Sequence, residues 1–184
     1  LGAGASLVML PRFDARRYVE AIGRWRVTRL SGVPTMFQLI LAQQDALAAI
    51  DRTTVRAVGV GSAPASAALI EALERMFPNA IATNGYGITE GGPVMFGPHP
   101  NGTSPPPASI GHPLPGAAVK LVPGPHEGVL FTRNPGVMLG YHNLPAETAR
   151  RLKDGWLDTG DICRRDADGF YYFVGRDDDM FVCG

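Results

Sequence analysis

Apolar positions in the first half of the chain alternate between two periods. After Asp14, Tyr18, Val19, Ile22 and Trp25 recur at the spacing of one helical face. Asp14 stands where an N-cap belongs, so the pattern predicts a helix to about Arg26. Residues 27–33 read as a short strand, and Pro34 suits the first turn of a helix reaching about Gln44. Residues 55–61 are an apolar run of the fully buried kind, ending in the Gly-Ser-Ala-Pro turn at 61–64. A further helix is expected over 66–77, with Leu69, Ile70, Leu73 and Met76 inward, followed by a strand at 80–83. The opening run, residues 1–10, reads as a Gly-Ala turn plus a buried strand. Strand alternating with helix predicts an α/β fold, a mostly parallel sheet with flanking helices.

Around Pro98 the pattern changes. Residues 98–107 (P-H-P-N-G-T-S-P-P-P) form a polar, proline-rich connector, expected to join two subdomains, 1–100 and 101–174. Beyond it short β segments are expected at 117–122, 128–133, 161–165 and 170–174, with Asp168-Gly169 as a hairpin turn. One short helix, from Pro145 to about Lys153, interrupts them. This half is expected to be a small, distorted antiparallel β-barrel or sheet.

Composition narrows the function classes. Acidic and basic residues balance at 17 each, so no strong field invites nucleic acid or an anionic membrane. Two cysteines, Cys163 and Cys183, are too few for a disulfide framework and lack zinc-ligand spacing. His99, His112, His126 and His142 are scattered without ligand pairing. No apolar run is long enough to cross a bilayer, and no charged-then-apolar leader opens the chain, so a soluble cytoplasmic protein is expected.

Candidate chemistry gathers in three polar turns. Residues 84–94 (N-G-Y-G-I-T-E-G-G-P-V) follow a strand and bring an aromatic ring, a hydroxyl and a carboxylate together at Tyr86, Thr89 and Glu90. Glycine allows close backbone approach to a ligand, and a loop rich in N–H groups can cradle phosphate. Thr89 can donate to a phosphate oxygen, and Glu90 can help hold a nucleotide's magnesium; the pair equally suits a helix cap, with Thr89 as N-cap. The other two turns span residues 158–161 and 175–179.

Seven stretches then fall in a recognisable order: Val33-Pro34-Thr35, residues 61–64, residues 84–90, residues 110–116 (I-G-H-P-L-P-G), residues 136–141 (G-V-M-L-G-Y), residues 155–161 (G-W-L-D-T-G-D) and residues 175–180 (G-R-D-D-D-M). Over essentially its whole length the chain resembles the adenylate-forming superfamily of acyl-CoA synthetases, aryl-CoA ligases, firefly-type luciferases and peptide-synthetase adenylation domains. The resemblance implies an acid–thiol ligase with ATP, Mg2+ and coenzyme A. A carboxylate attacks the α-phosphate of ATP to give an acyl-adenylate, and the thiol of coenzyme A then displaces AMP.

The same resemblance implies roles. Tyr86 packs on adenine, in a slot shared with Ser62, Ala63, Pro64, Asn84 and Gly85; a core-facing tyrosine would show the same pattern. Thr89 meets the α-phosphate and Glu90 the magnesium. Asp161 takes the ribose hydroxyls and Arg176 also contacts the ribose; their plainer alternatives are a turn aspartate and a surface ion pair. Gly61, Gly85, Gly87, Gly92 and Val94 line an acyl pocket for a small-molecule acid, aryl or fatty, as in the 4-coumarate–CoA ligase and medium-to-long-chain branches. Asp178 is the hinge, so residues 175–184 begin the passage to a C-terminal domain. The family's phosphate loop and its C-terminal lysine have no counterpart here, so the chain is expected to be an internal fragment, inactive by itself. A peptide-synthetase adenylation domain and a non-catalytic AMP-binding module stay open as alternatives.

Overall fold

The first helix, α1 (Ala15–Trp25), begins at Asp14, whose carboxylate accepts the Arg17 N–H at 2.9 Å, and ends at Arg26 in the left-handed region. This is a computed structural model, and it describes residues 4–92 and 94–177; Asp178 and Cys183 lie outside them. Val19 and Ile22 of α1 are buried, while Trp25 at the end of the same face is 59% exposed and carries the Arg24 guanidinium over its ring.

Next come β1 (Arg29–Gly32), α2 (Pro34–Leu41), α3 (Gln44–Ala48), a 3-10 turn (Arg52–Thr54), β2 (Ala57–Val60), α4 (Ala67–Met76) and β3 (Ile81–Asn84). The single helix expected over 34–44 therefore stops at Leu41, and a second starts three residues later. Ser66 caps α4 by accepting the Leu69 N–H at 3.2 Å. The sheet runs β1-β2-β3, parallel throughout, with Leu30 opposite Val58 and Val58 opposite Ala82. Phe37, Leu73, Phe77 and Val58 are wholly buried in one apolar cluster around it.

The buried strand expected at residues 1–10 is corrected for the described part. Residues 4–10 form no strand, and Leu7 and Met9 are 68% and 78% exposed. Hydrophobicity alone does not make a strand; a ladder partner is needed, and no described strand pairs with this run. It instead borders an apolar cavity of about 850 Å³ with Phe13, Tyr18 and Trp25.

Chain contacts divide the protein into two compact units, Leu1–Asn84 and Gly85–Gly184. In the second, β4 (Phe96–Gly97) pairs with β5 (His112–Pro113), and the proline-rich run is the loop between them. A five-stranded antiparallel sheet follows, built from β6 (Ala118–Pro123), β7 (Glu127–Arg133), β8 (Leu152–Lys153), β9 (Trp156–Arg165) and β10 (Tyr171–Arg176), in the order β10-β9-β7-β6 with β8 also on β9. Helix α5 (Pro145–Arg151) stands before β8. The strand expected at 161–165 is thus the second half of a ten-residue strand. Asp154 and Gly155, both at positive φ, make the tight β8–β9 hairpin. Residues 166–170 join β9 to β10, with the Asp166 carboxylate accepting the Asp168 and Phe170 N–H groups.

Two irregularities shape the second sheet. Between the pairs Val129–Ile162 and Phe131–Asp158, β7 contributes Leu130 alone while β9 contributes Thr159, Gly160 and Asp161. In β10 the register slips by one between Phe173 and Gly175, leaving Val174 as an extra residue, so that Arg176 stands opposite Asp161. The core here gathers Tyr86, Met95, Phe96, Ile110, Leu130, Cys163 and Tyr171. Among the described residues no helix is long and apolar enough to cross a membrane.

Candidate nucleotide site

In the first unit, Val60 and Asn84 are register partners at the carboxyl ends of adjacent parallel strands, where ligands collect in open α/β sheets. The 61–64 turn leaves β2 with the Gly61 N–H donating to the Gly32 carbonyl at 3.1 Å. Ser62 is left-handed at φ 63°, and Ser62, Ala63 and Pro64 are exposed.

The second unit opens with the loop holding Gly85, Tyr86 and Gly87. Ile88 bridges to Gly92, and the Gly91 N–H reaches the Ile88 carbonyl at 3.2 Å, so Thr89 and Glu90 ride the tip of a tight turn. Among the described residues no helix follows this turn, which removes the N-cap alternative for Thr89; its side chain is exposed. Glu90 is held twice by one later segment. The Met138 N–H donates to its carbonyl at 2.7 Å, and the Tyr141 hydroxyl donates to Oε1 at 2.9 Å.

Tyr86, Asp161 and Arg176 meet. The Tyr86 hydroxyl donates to Asp161 Oδ2 at 2.5 Å, and Arg176 Nη1 donates to Oδ1 at 2.7 Å. Asp161 is 3% exposed, and the β9 bulge that presents it is pinned by Thr159. Thr159 donates its hydroxyl to the Leu130 carbonyl at 2.7 Å and accepts the Asp161 N–H at 3.1 Å. The turn aspartate that bonds its own backbone is instead Asp158, which accepts the Gly160 N–H at 2.9 Å. Arg176 does form an ion pair, but with a buried partner: its own side chain is 38% exposed and that of Asp161 only 4%.

Tyr86 is a core residue as well as a polar one. It is 8% exposed and meets Phe96 edge-on with ring centroids 5.6 Å apart. Burial raises its phenol above the ordinary range, and the hydrogen bond to Asp161 with that carboxylate's charge raises it further, so it stays a donor. Burial, then the Glu90 hydrogen bond, raises Tyr141 in the same way. Burial and the nearby Asp161 charge push the Cys163 thiol up to about 12, which leaves it inert.

Arg176 also lines a small polar cavity of about 100 Å³ with Ile88, Glu90, Tyr141, Glu147, Arg151, Asp158 and Thr159. Tyr141 belongs to a stretch that carried the family resemblance without an assigned role. Arg151 had no signal at all, since a basic residue in the last turn of a short helix is ordinary. Thr89 does not line this cavity, and neither do Gly61, Gly85, Gly87, Gly92 or Val94, the last being 61% exposed. Among the described residues no three His, Cys, Asp or Glu side chains gather as a metal-ligand group.

A family model described as AMP-binding enzyme matches residues 1–142. The chain is 34% identical over 189 residues to 4-coumarate–CoA ligase-like 6 of Oryza sativa subsp. japonica, covering 96% of this chain and 31% of that relative. It is 35% identical over 189 residues to the long-chain-fatty-acid–CoA ligase of Yersinia pestis, covering 99% and 33%. Its fold matches the crystal structure of the anthranilate CoA ligase AuaEII in complex with anthranoyl-AMP at a TM-score of 0.85 and 29% identity, covering 96% of this chain and 35% of that one. The chain thus spans about a third of the length of these relatives. It belongs to the family of AMP-binding enzymes.

Proposed function

We propose that this chain is the nucleotide-holding part of an ATP-dependent carboxylic acid–CoA ligase acting on an aryl or fatty acid. In the whole enzyme a carboxylate oxygen attacks the α-phosphorus of ATP, the bond to the oxygen bridging the β-phosphate breaks, and pyrophosphate leaves. The sulfur of coenzyme A then attacks the acyl carbon, AMP departs with the oxygen that joined it to the acyl group, and the thiol proton is released. Support for the acid class and the acceptor comes from the relatives, named as 4-coumarate and long-chain-fatty-acid CoA ligases.

Each residue then has a task. Asp161 binds the ribose hydroxyls; an ionised carboxylate has about four acceptor sites, so it can serve protein and sugar donors together. Tyr86 and Arg176 fix its two oxygens, and Arg176 adds a sugar contact. Tyr86 also belongs with Gly85 to the base slot, the role carried by Ser62, Ala63, Pro64 and Asn84 at the first unit's strand ends. Thr89 meets the α-phosphate. Magnesium carried by a nucleotide asks the protein for only one or two carboxylates, and Glu90, oriented by Tyr141, fits that demand. When bound, the ion supplies charge neutralisation on the phosphates. Gly61, Gly85, Gly87, Gly92 and Val94 border the acid, and Asp178 is the hinge.

The observation that carries this proposal is the convergence of Tyr86 and Arg176 on the buried Asp161, beside the cavity that Glu90 lines. Calorimetric titration of the chain with AMP and with an acyl-sulfamoyl adenosine tests it. Both should bind, and D161N should bind both at least about tenfold more weakly, the cost of one charge-assisted contact. Absence of heat with either ligand would overturn it. The same preparation should show no pyrophosphate–ATP exchange, because two arginines but no lysine line the cavity and phosphoryl transfer depends on positioned charge.

A further inference from the structure

Resting on that nucleotide site, we propose that Thr159 is a positioning residue for sugar recognition, acting through Asp161. The β9 bulge leaves a gap in the ladder. Leu130 alone faces Thr159, Gly160 and Asp161, so regular rungs cannot form there. Leu130 is wholly buried and Asp161 is 3% exposed, so water does not serve their backbone groups. A backbone group left unpaired in such a place costs as much as a lost hydrogen bond.

One hydroxyl closes the gap. It donates across the sheet to the Leu130 carbonyl at 2.7 Å and accepts the Asp161 N–H of its own strand at 3.1 Å. A hydroxyl suits both duties, having one proton to give and two lone pairs to accept with. Thr159 is 5% exposed, and its branched Cβ limits the rotation that would carry Oγ1 away. Gly160, between the two, turns the chain at φ 70° and gives its own N–H to Asp158 at 2.9 Å.

The work of holding Asp161 is therefore divided. Tyr86 and Arg176 engage its carboxylate oxygens, while Thr159 ties its main chain to β7. Two sugar hydroxyls can share one carboxylate only if it stands in the right place, and binding groups have to be held within about 0.5 Å of their working geometry. Without the Thr159 hydroxyl, the Leu130 carbonyl and the Asp161 N–H both lose a partner in the core. The bulge can relieve them only by moving the residue that takes the sugar.

The test is a calorimetric titration of AMP and of 2′,3′-dideoxy-AMP, which lacks both sugar hydroxyls, into the unaltered chain, T159V and T159S. The unaltered chain should prefer AMP. T159V, close to threonine in shape, should lose about tenfold in AMP affinity with the dideoxy compound unchanged. T159S, which keeps the hydroxyl, should restore most of the preference. A full preference in T159V, an equal loss of both compounds, or a T159S no better than T159V overturns the role of Thr159 and leaves the nucleotide site standing. An unaltered chain that binds both compounds equally overturns the sugar contact of Asp161, and Thr159 with it. Should circular dichroism show T159V unfolded, T159C decides, because a thiol is a weak donor and acceptor. A reduced preference for AMP in T159C supports the role, and an undiminished one overturns it.

Discussion

Of the polar side chains buried among the described residues, the first unit holds Thr54, whereas the second holds Ser109, Thr132, Thr159 and Asp161. Thr54 needs little, a bond from its hydroxyl to the Val27 carbonyl at 3.2 Å, and the cluster around it is otherwise hydrocarbon. The second core runs from Phe96 through Tyr86 to a buried carboxylate. Burying a charge is expensive unless it is paired and hydrogen-bonded. Asp161 meets both conditions, through Arg176 and Tyr86. Apolar packing therefore dominates the first unit's core, and buried polarity gathers in the second's.

The chain has two tryptophans, and they fall one in each unit, Trp25 and Trp156, so each region has its own fluorescence reporter. The largest effect is expected from F37A. Phe37 is fully buried, and the cavity it leaves should cost the first unit about 3–5 kcal/mol, read by urea unfolding through Trp25 in a W156F background. D161N comes next. It breaks a buried pair, discounted because Arg176 is partly exposed, and should cost about 2–3 kcal/mol at the Trp156 signal in a W25F background. Equal shifts of both reporters in either variant would erase the contrast between the two units.

The smallest effect is alkaline. The thiol of Cys163 titrates near its ordinary 9.0 when unfolded and is pushed up to about 12 when folded, chiefly by burial. Below pH 9 both states hold the proton and the contribution is intact. Between pH 9 and 12 the unfolded chain gives up a proton that the folded one keeps, so stability falls as pH rises, by about 1 kcal/mol at pH 10. C163A should make this decline shallower at the Trp156 signal. The raised phenol of Tyr86 adds to the decline above its ordinary range and would persist in that variant. An identical slope in C163A would remove Cys163 from the account.

Legibility in the sequence followed the range of the interactions. Asp14 and Ser66 were readable as caps because a cap is satisfied within three residues. Strand β2 was readable because Ala57–Val60 is an unbroken apolar run, with Val58 and Val60 buried. The strand expected at residues 1–10 failed over its described part because a ladder depends on a distant partner. The β8–β9 hairpin had a local signal, Asp154-Gly155, which sits in the D-G pattern of a two-residue turn. At the site, Tyr86, Asp161 and Arg176 stood in recognisable motifs, and the structure brings them together. Tyr141 and Arg151 reach the same cavity only through the path taken by the intervening chain, and no spacing announces that. The composition shift near Pro98 and the contact boundary at Asn84 and Gly85 mark different things, a polar loop between two paired strands and a division between cores.

Val174 has 54% of its surface in solvent and takes no partner in the ladder, yet it decides which side chain arrives opposite Asp161. Were Val174 drawn into the ladder opposite Ile162 instead, Gly175 would take the place Arg176 now holds. Any change that straightened the strand at this bland, outward-facing position would part Arg176 from Asp161 with neither of them altered. Surveys of natural variants that count only substitutions at polar residues would pass over such a loss.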